Sequence, residues 1–590
     1  MRPETHAPVG DRAQQLRGSR IRNGCLGFGV TALLGAIAVG VYGLSSSQAH
    51  CLDRCAARTS FAAWGWAAVS ASVVLVTAAA VVVARGRDRG PRESGIDAVA
   101  WLSTMYVISA AVAVVALAPW AVLHDALTLG PPSMQGPAVA GAVVLSVLGA
   151  LALGLGRRAL LESRKAMRRS RVGGSVLALV VILALSATGL HAGDDGRFVQ
   201  ADTADPAAVS PTPAQFGQQR FHIKIGDLSG ADVSALDQTQ FQFFVAGAGF
   251  VVFDGVGGEL VAYDSAGRQR WHYRRTGPDA VRVRAVHAYD GGATLVALLY
   301  NGNAGPDAPE TFVGFDAVTG RQLWSGSGEL LELAFGNVAH PGPYFVARQK
   351  DSWTLVDART GRQVWRMPNP QTCGDNSGDI YAVGGLLVEA YGCQDHEDVV
   401  DTLLTVEAAT GKVVRQQQLR RIDAASGPVD IIDISRGGRD GILCMVKWVD
   451  GRRSTLYANA VTGQIVDLGD RLARSDTVGD GNFFALSFTT HMWDMLGTNA
   501  VVHCTLPPSE GQSIDEWMDV GIAWYPNQFA YVAPGGRLVI ADRDSCQTLT
   551  TVPLSGDPFA LRVAGGVTLL VSGEGADLYV TGYAPNSPAA

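Results

Sequence analysis

The residues able to do chemistry are few, and their spacing limits what they can do. Cys51 and Cys55 share one short segment. Zinc would need two further ligands at matching spacing, and none follows. The other reading of the pair is a disulfide. Cys373 and Cys393 flank an expected strand pair and are a second candidate bridge, and Cys504 and Cys546 are a third. Spacing alone does not settle pairing. Cys444 reads as a buried strand thiol. Two Asp- and Gly-rich stretches, 375–379 and 476–482, offer oxygens to calcium, but neither follows the twelve-residue ligand pattern. They read as turns. His222, His272, His287, His340, His396, His491 and His503 are scattered, and Asp395, His396, Glu397 and Asp398 read as a solvated loop tip. No Gly-x-Ser-x-Gly elbow is present. On residues alone, no catalytic, cofactor-binding or metal-ligating set is assigned, and no cofactor is expected.

The elements that would position these side chains fall in two halves of opposite charge. Residues 1–190 carry 18 Lys and Arg against 8 Asp and Glu, whereas residues 191–590 carry 29 against 46. An acidic second half is a poor partner for nucleic acid, because phosphate binding needs a basic face. The charged share is 17% and the hydrophobic share 47%, against a usual charged share of roughly 25%.

Five apolar runs in the first half, 24–44, 61–84, 98–123, 138–156 and 172–190, have no Lys, Arg, Asp or Glu in their interiors. Each approaches the ~20 residues that cross hydrocarbon. The tail before the first run and the loops 85–92 and 157–171 hold 16 basic residues, whereas the opposite loops hold Arg54 and Arg58. The positive-inside rule then places the N-terminus in the cytoplasm and everything after His191 outside it. The first run is longer than a secretory h-region and reads as an uncleaved span despite Ser47-Gln48-Ala49. Its partner is the lipid bilayer.

The second half repeats. An apolar strand ends in an acidic or amide residue, a tight turn closes on Gly, and a second strand returns with Trp. The clear copies run from Asp264 through Gly267 to Trp271, from Asp316 through Gly320 to Trp324, and from Asp357 through Gly361 to Trp365. Weaker copies turn at Gly411 and Gly463, where Arg415 and Asp467 stand in the place of Trp. Degenerate turns are expected at Gly511 and Cys546. The acceptor side chain bonds turn amides, and the Gly supplies the left-handed conformation. Turn spacings of 35 to 53 residues leave room for four strands each, the period of propeller blades. The second unit is expected to place strands at 281–289, 293–300, 311–318 and 321–326. The chain's last strands, 558–565, 567–572 and 577–583, lack a fourth. Residues 221–227 have no unit of their own and are expected to complete that set, closing the ring and removing its edges.

The Asp-x-x-Thr-Gly-x-x-x-Trp unit resembles the blades of the pyrroloquinoline-quinone-like (PQQ-like) β-propeller superfamily, over about residues 221–583. The resemblance implies that the Trp packs between neighbouring blades, so the motif residues are structural. One branch of that superfamily is PQQ-dependent dehydrogenases, including a membrane-bound sugar dehydrogenase with five N-terminal spans. Its alcohol-oxidising members use a vicinal Cys pair. This chain has no Cys-Cys and no Cys-x-x-Cys-His, and the family's calcium ligands and catalytic Asp fall on no residue here. The other branch is non-catalytic and includes the propeller lipoprotein of the outer-membrane barrel assembly machinery, a protein-binding scaffold. The length of the repeat region fits this branch better.

The expected architecture is an all-α bundle of five transmembrane helices followed by an all-β propeller of eight four-stranded blades, seven being the alternative count. The expected boundaries are a cytoplasmic tail 1–23, a transmembrane domain 24–190, an extracytoplasmic linker 191–220, the propeller 221–583 and a tail 584–590. The expected function is a non-enzymatic scaffold in the cell envelope that binds a protein partner. The alternatives are a quinoprotein dehydrogenase feeding membrane quinone and a ligand sensor.

Overall fold

The computed structural model describes residues 9–46, 56–88, 135–156, 168–193 and, with short interruptions, 198–585. By internal contacts the chain divides into two compact units. One is 1–198 together with 278–281 and 301–309, and the other holds the rest.

In the first unit four helices are described: α1 (Val9–Ser46), α2 (Ala56–Asp88), α3 (Gln135–Gly156) and α4 (Arg168–Gly193). α1 packs against the other three. Small residues allow close approach. A Cβ on Gly29 would lie 2.7 Å from the Leu153 backbone, and one on Gly174 would lie 2.0 Å from the Gly24 carbonyl. Ser72 and Ser146 share a buried 2.9 Å hydrogen bond between α2 and α3.

Five spans were expected, and the structure corrects that count. Among the described residues three helices hold stretches long and apolar enough to cross a membrane: Gly18–Leu44, Pro137–Gly156 and Arg169–His191. In α2 the apolar stretch within the described residues is Gly65–Val81. The run 98–123 lies outside the described residues.

The second unit is a β-propeller. Its strands form eight antiparallel sheets in chain order. The first covers 241–275, the second 281–326, the third 344–368, the fourth 377–423, the fifth 430–467, the sixth 471–506, the seventh 522–553 and the eighth 557–584. Gln218–Asp227 pairs with Asp577–Ala584 and becomes the outer strand of the eighth sheet, as the unpartnered 221–227 predicted. The strands of the second sheet match their expectation within two residues, at Val281–Tyr289, Thr294–Asn301, Thr311–Asp316 and Gln322–Gly326.

Shared apolar clusters join neighbouring sheets. Trp353 and Leu355 of the third pack with Leu387 and Tyr391 of the fourth. Phe250 and Val252 of the first pack with Leu569 and Val571 of the eighth, which joins the two ends of the series. First strands converge: Ser377–Val383 meets Asp430–Arg436, and Phe241–Ala246 meets Asp557–Ala564. They therefore lie on the axial side.

Two sheets depart from the expected four strands. Val199–Asp202, inside the stretch expected to be linker, pairs with Gln269–Arg275 as a fifth strand of the first sheet. Among the described residues the third sheet has three strands, and α5 (Glu329–Gly336) precedes them where a first strand was expected. Leu330, Leu331, Ala334 and Phe335 recur at helical spacing and are buried, which fits a helix lying with one face on the sheets.

Candidate functional site

The repeat motif is built from turn hydrogen bonds. Asp316 Oδ1 accepts from the Thr319 amide and hydroxyl, both at 3.0 Å. Asp357 Oδ1 does the same with Thr360, at 2.7 and 2.8 Å. Asp264 Oδ1 accepts from the amides of Ala266 and Arg268, each at 2.9 Å. Burial alone would raise the Asp264 carboxyl, but the Arg268 amide and guanidinium and the Ala266 amide outweigh it and hold the group below its ordinary range. Asp316 is lowered in the same way, its burial outweighed by Arg359 and Thr319. Asn459 and Asp542 bind the turn amides of Thr462 and Ser545 at 2.8 and 2.9 Å.

The returning strand of each turn then grips the next sheet. Trp271 Nε1 donates to Ala317 O at 2.9 Å, Trp324 Nε1 to Ala358 O at 2.8 Å and Trp365 Nε1 to Ala408 O at 2.8 Å. Each indole lies on the turn glycine of that neighbour. A Cβ on Gly320, at φ +72°, would come 2.7 Å from the Trp271 ring, and one on Gly361 would come 2.5 Å from Trp324. These glycines are needed both for backbone conformation and for space. Where Trp is lost, Arg415 lies over Gly463 and reaches Val461 O at a long 3.4 Å.

Strand register identifies further members of this series that the motif search missed. Trp271, Trp324, Trp365 and Arg415 sit opposite Ala262, Gly314, Leu355 and Thr405, each beside a one-residue shift that re-aims the side chain. Phe221 sits opposite Gly582 in the eighth sheet and lies on Gly267 of the first. Cys504 sits opposite Met495 in the sixth sheet. It is bonded to Cys546, the turn residue of the seventh sheet, with Cα atoms 5.7 Å apart. Cys546 holds φ +57°, where the other turns have glycine. The disulfide thus occupies the place of a Trp–Gly contact. The sixth turn is not at Gly511, which lies outside the described residues. It closes at Ala500, φ +57°, whose amide donates to Gly497 O at 2.8 Å. Gly, Asn and Ala spaced without an Asp or a Thr-Gly left no motif to find.

Of the other candidate bridges, Cys51, Cys55 and Cys373 lie outside the described residues, and Cys393 is placed only as part of strand Leu386–Asp395. Cys25 is a free thiol.

Among the described residues, a group of perturbed ionisable side chains lies on α5 and the second sheet. His287 on the first strand packs against Phe335 of α5 in a tilted ring contact, with centres 4.4 Å apart. Burial pushes its imidazole down to about 4. Burial, then repulsion from Glu310 and Glu329, raises Glu332. Burial also raises Glu310, partly offset by Arg284. The Arg284 guanidinium lies 4.9 Å over the Tyr300 ring. Glu329 and Glu332 are exposed, so the group offers an acidic surface beside one aromatic-backed cation.

Elsewhere, His222 Nδ1 lies 2.9 Å from Thr581 Oγ1 and its Nε2 lies 3.7 Å from Glu574. The order imitates a hydroxyl–imidazole–carboxylate relay. Thr581 is only 6% exposed and is the cross-strand partner of His222, whose ring stacks on Tyr579 at 4.5 Å. The trio is a sheet contact. Among the described residues no three His, Cys, Asp or Glu come together as metal ligands. The calcium alternatives at 375–379 and 476–482 fall largely outside them.

No protein-family profile and no curated protein sequence matches the chain. Among solved structures, BamB from Moraxella catarrhalis is similar at 14% identity and TM-score 0.34, covering 63% of this chain and 99% of that one. Saccharomyces cerevisiae Sqt1 is similar at 12% identity and TM-score 0.35, covering 63% and 100%. The computationally designed Ika8 protein is similar at 13% identity and TM-score 0.36, covering 62% and 99%.

Proposed function

We propose that this protein is a membrane-anchored scaffold whose propeller lies outside the cytoplasm and binds a protein partner of the cell envelope. The sheets are read as the blades of one ring, with the N-terminus cytoplasmic and the propeller beginning at the Val199–Asp202 strand rather than at 221. The observation that carries the reading is how the motif residues are used. Their carboxylates and indoles are occupied in turn and sheet-to-sheet bonds, so the ring is built as a rigid platform. Its offered surfaces are then the turns and the acidic group around α5. Three apolar helices supply the anchor. The Cys504–Cys546 bond suits an oxidising compartment.

The test uses the full chain in its own membranes. A photo-crosslinking residue is placed at Glu332, with Leu549 on an exposed outer strand as control. One recurring protein adduct from Glu332 and none from Leu549 is expected. Equal labelling at both sites counts against a specific docking face. Purified full-length protein given PQQ and calcium is expected to reduce no dye with sugars or alcohols. Turnover would replace the scaffold reading with the dehydrogenase.

A further inference from the structure

Two helices far apart in the chain bring their arginines to one end of the helical unit. α1 carries Arg20 and Arg22 where its apolar stretch Gly18–Leu44 begins, and α4 carries Arg169 and Arg171 where Arg169–His191 begins. The two ends are tied together. Ser170 Oγ donates to Arg20 O at 2.7 Å. Arg171 Nε donates to Asn23 Oδ1 at 2.7 Å. Asn23 is fully buried and anchors its own amide on Ser19 O at 3.0 Å. Arg20 and Arg169 are exposed. A topology signal requires only positive charge on one side of the membrane. It does not require a buried asparagine that aims one guanidinium, or a serine that docks one arginine-bearing turn on another.

We propose that Arg20, Arg22, Arg169 and Arg171 form a binding site for the phosphate headgroup of an anionic phospholipid. The proposal rests on the membrane reading above. The cluster stands where the apolar stretches end, at the depth of headgroups. Guanidinium groups suit phosphate because their planar donors match its oxygens in pairs. Net negative lipid is favoured because a zwitterionic headgroup carries its own cation close to the phosphate.

The test is native mass spectrometry of the full chain, purified in neutral detergent and given phosphatidylglycerol or phosphatidylcholine at equal concentration. The wild-type protein is expected to retain phosphatidylglycerol about tenfold more strongly. The Arg20→Gln, Arg169→Gln double variant should lose on the order of tenfold or more of that retention, since each basic group adds severalfold at an anionic surface. Asn23→Ala should lose part of it by freeing Arg171. Phosphatidylcholine retention should stay unchanged in both variants. Equal retention of the two lipids, an unaltered double variant, or displacement of the lipid by millimolar inorganic phosphate would each overturn the proposal. Membrane fractionation separates this from the reading beneath it. Protein found in membranes without lipid preference sinks the headgroup site alone, whereas protein in the soluble fraction sinks the anchor.

Discussion

At the scale of single residues, the Trp series shows how one side chain can carry a sheet-to-sheet contact. Trp324 is 5% exposed, fills the space over Gly361 and satisfies its indole on Ala358 O. Trp324→Ala should destabilise the propeller by about 3–5 kcal/mol, read from the urea midpoint. Arg415 is the converse case, a half-buried guanidinium making one long bond where an indole would pack. Arg415→Trp is expected to raise the melting temperature, with a gain of about 0.5–2 kcal/mol. A lower melting temperature would show that the two sites are not equivalent. His287 gives a pH signature. Its folded pKa, about 4, lies below the free value of 6.5, so the unfolded state takes up its proton first. The stability cost is absent above pH 6.5 and grows as pH falls toward 4. His287→Asn should flatten the urea midpoint over that window. The carboxyls of Asp264 and Asp316 act lower. Their folded values are depressed, so their contribution is present above the ordinary value of 3.8 and lost on acidification below it. The two windows can therefore be told apart.

At the scale of elements, the disulfide and α5 replace standard parts of the repeat. Cys504 and Cys546 are 42 residues apart in sequence, and closing a loop of that size restricts the unfolded chain by about 4 kcal/mol. Cys504→Ala with Cys546→Ala should lower stability by roughly 2–4 kcal/mol, and reductant should reproduce the loss in the wild type without adding to it in the variant. α5 covers His287 through Phe335. Phe335→Ala should admit water and move the imidazole upward toward 6.5, measured by NMR titration of the ring protons. An unmoved titration would place the burial elsewhere.

At the scale of the whole molecule, the ring depends on a strand that enters the chain before the first sheet. Phe221 on that strand lies on Gly267 of the first sheet and pairs across to Gly582 of the eighth. Phe221→Ala should therefore loosen two sheets at opposite ends of the sequence. Hydrogen exchange is expected to quicken in both 557–584 and 241–275 while 377–423 keeps its protection. Quickening confined to the eighth sheet would mean that the two are joined by other contacts.

The sequence by itself determined the repeat, the strand positions of the second sheet and the pairing of 221–227 with the last strands. Period-two apolar runs, Asx turns and a strand without partners are local or countable features, and a propeller must dispose of its edges. It also marked where charge changes sign and where helices become apolar. Only the tertiary structure decided which residues stand at equivalent places. Phe221, Cys504 and Ala500 share no residue type with Trp and Gly, and register against the neighbouring strand is what aligns them. The same holds for α5, an eight-residue helix that stands where the four-strand repeat calls for a first strand. Val199–Asp202 likewise became a strand only because the outer edge of the first sheet was open to it. Periodicity is written along the chain, whereas pairing across the ring depends on neighbours that no local pattern names.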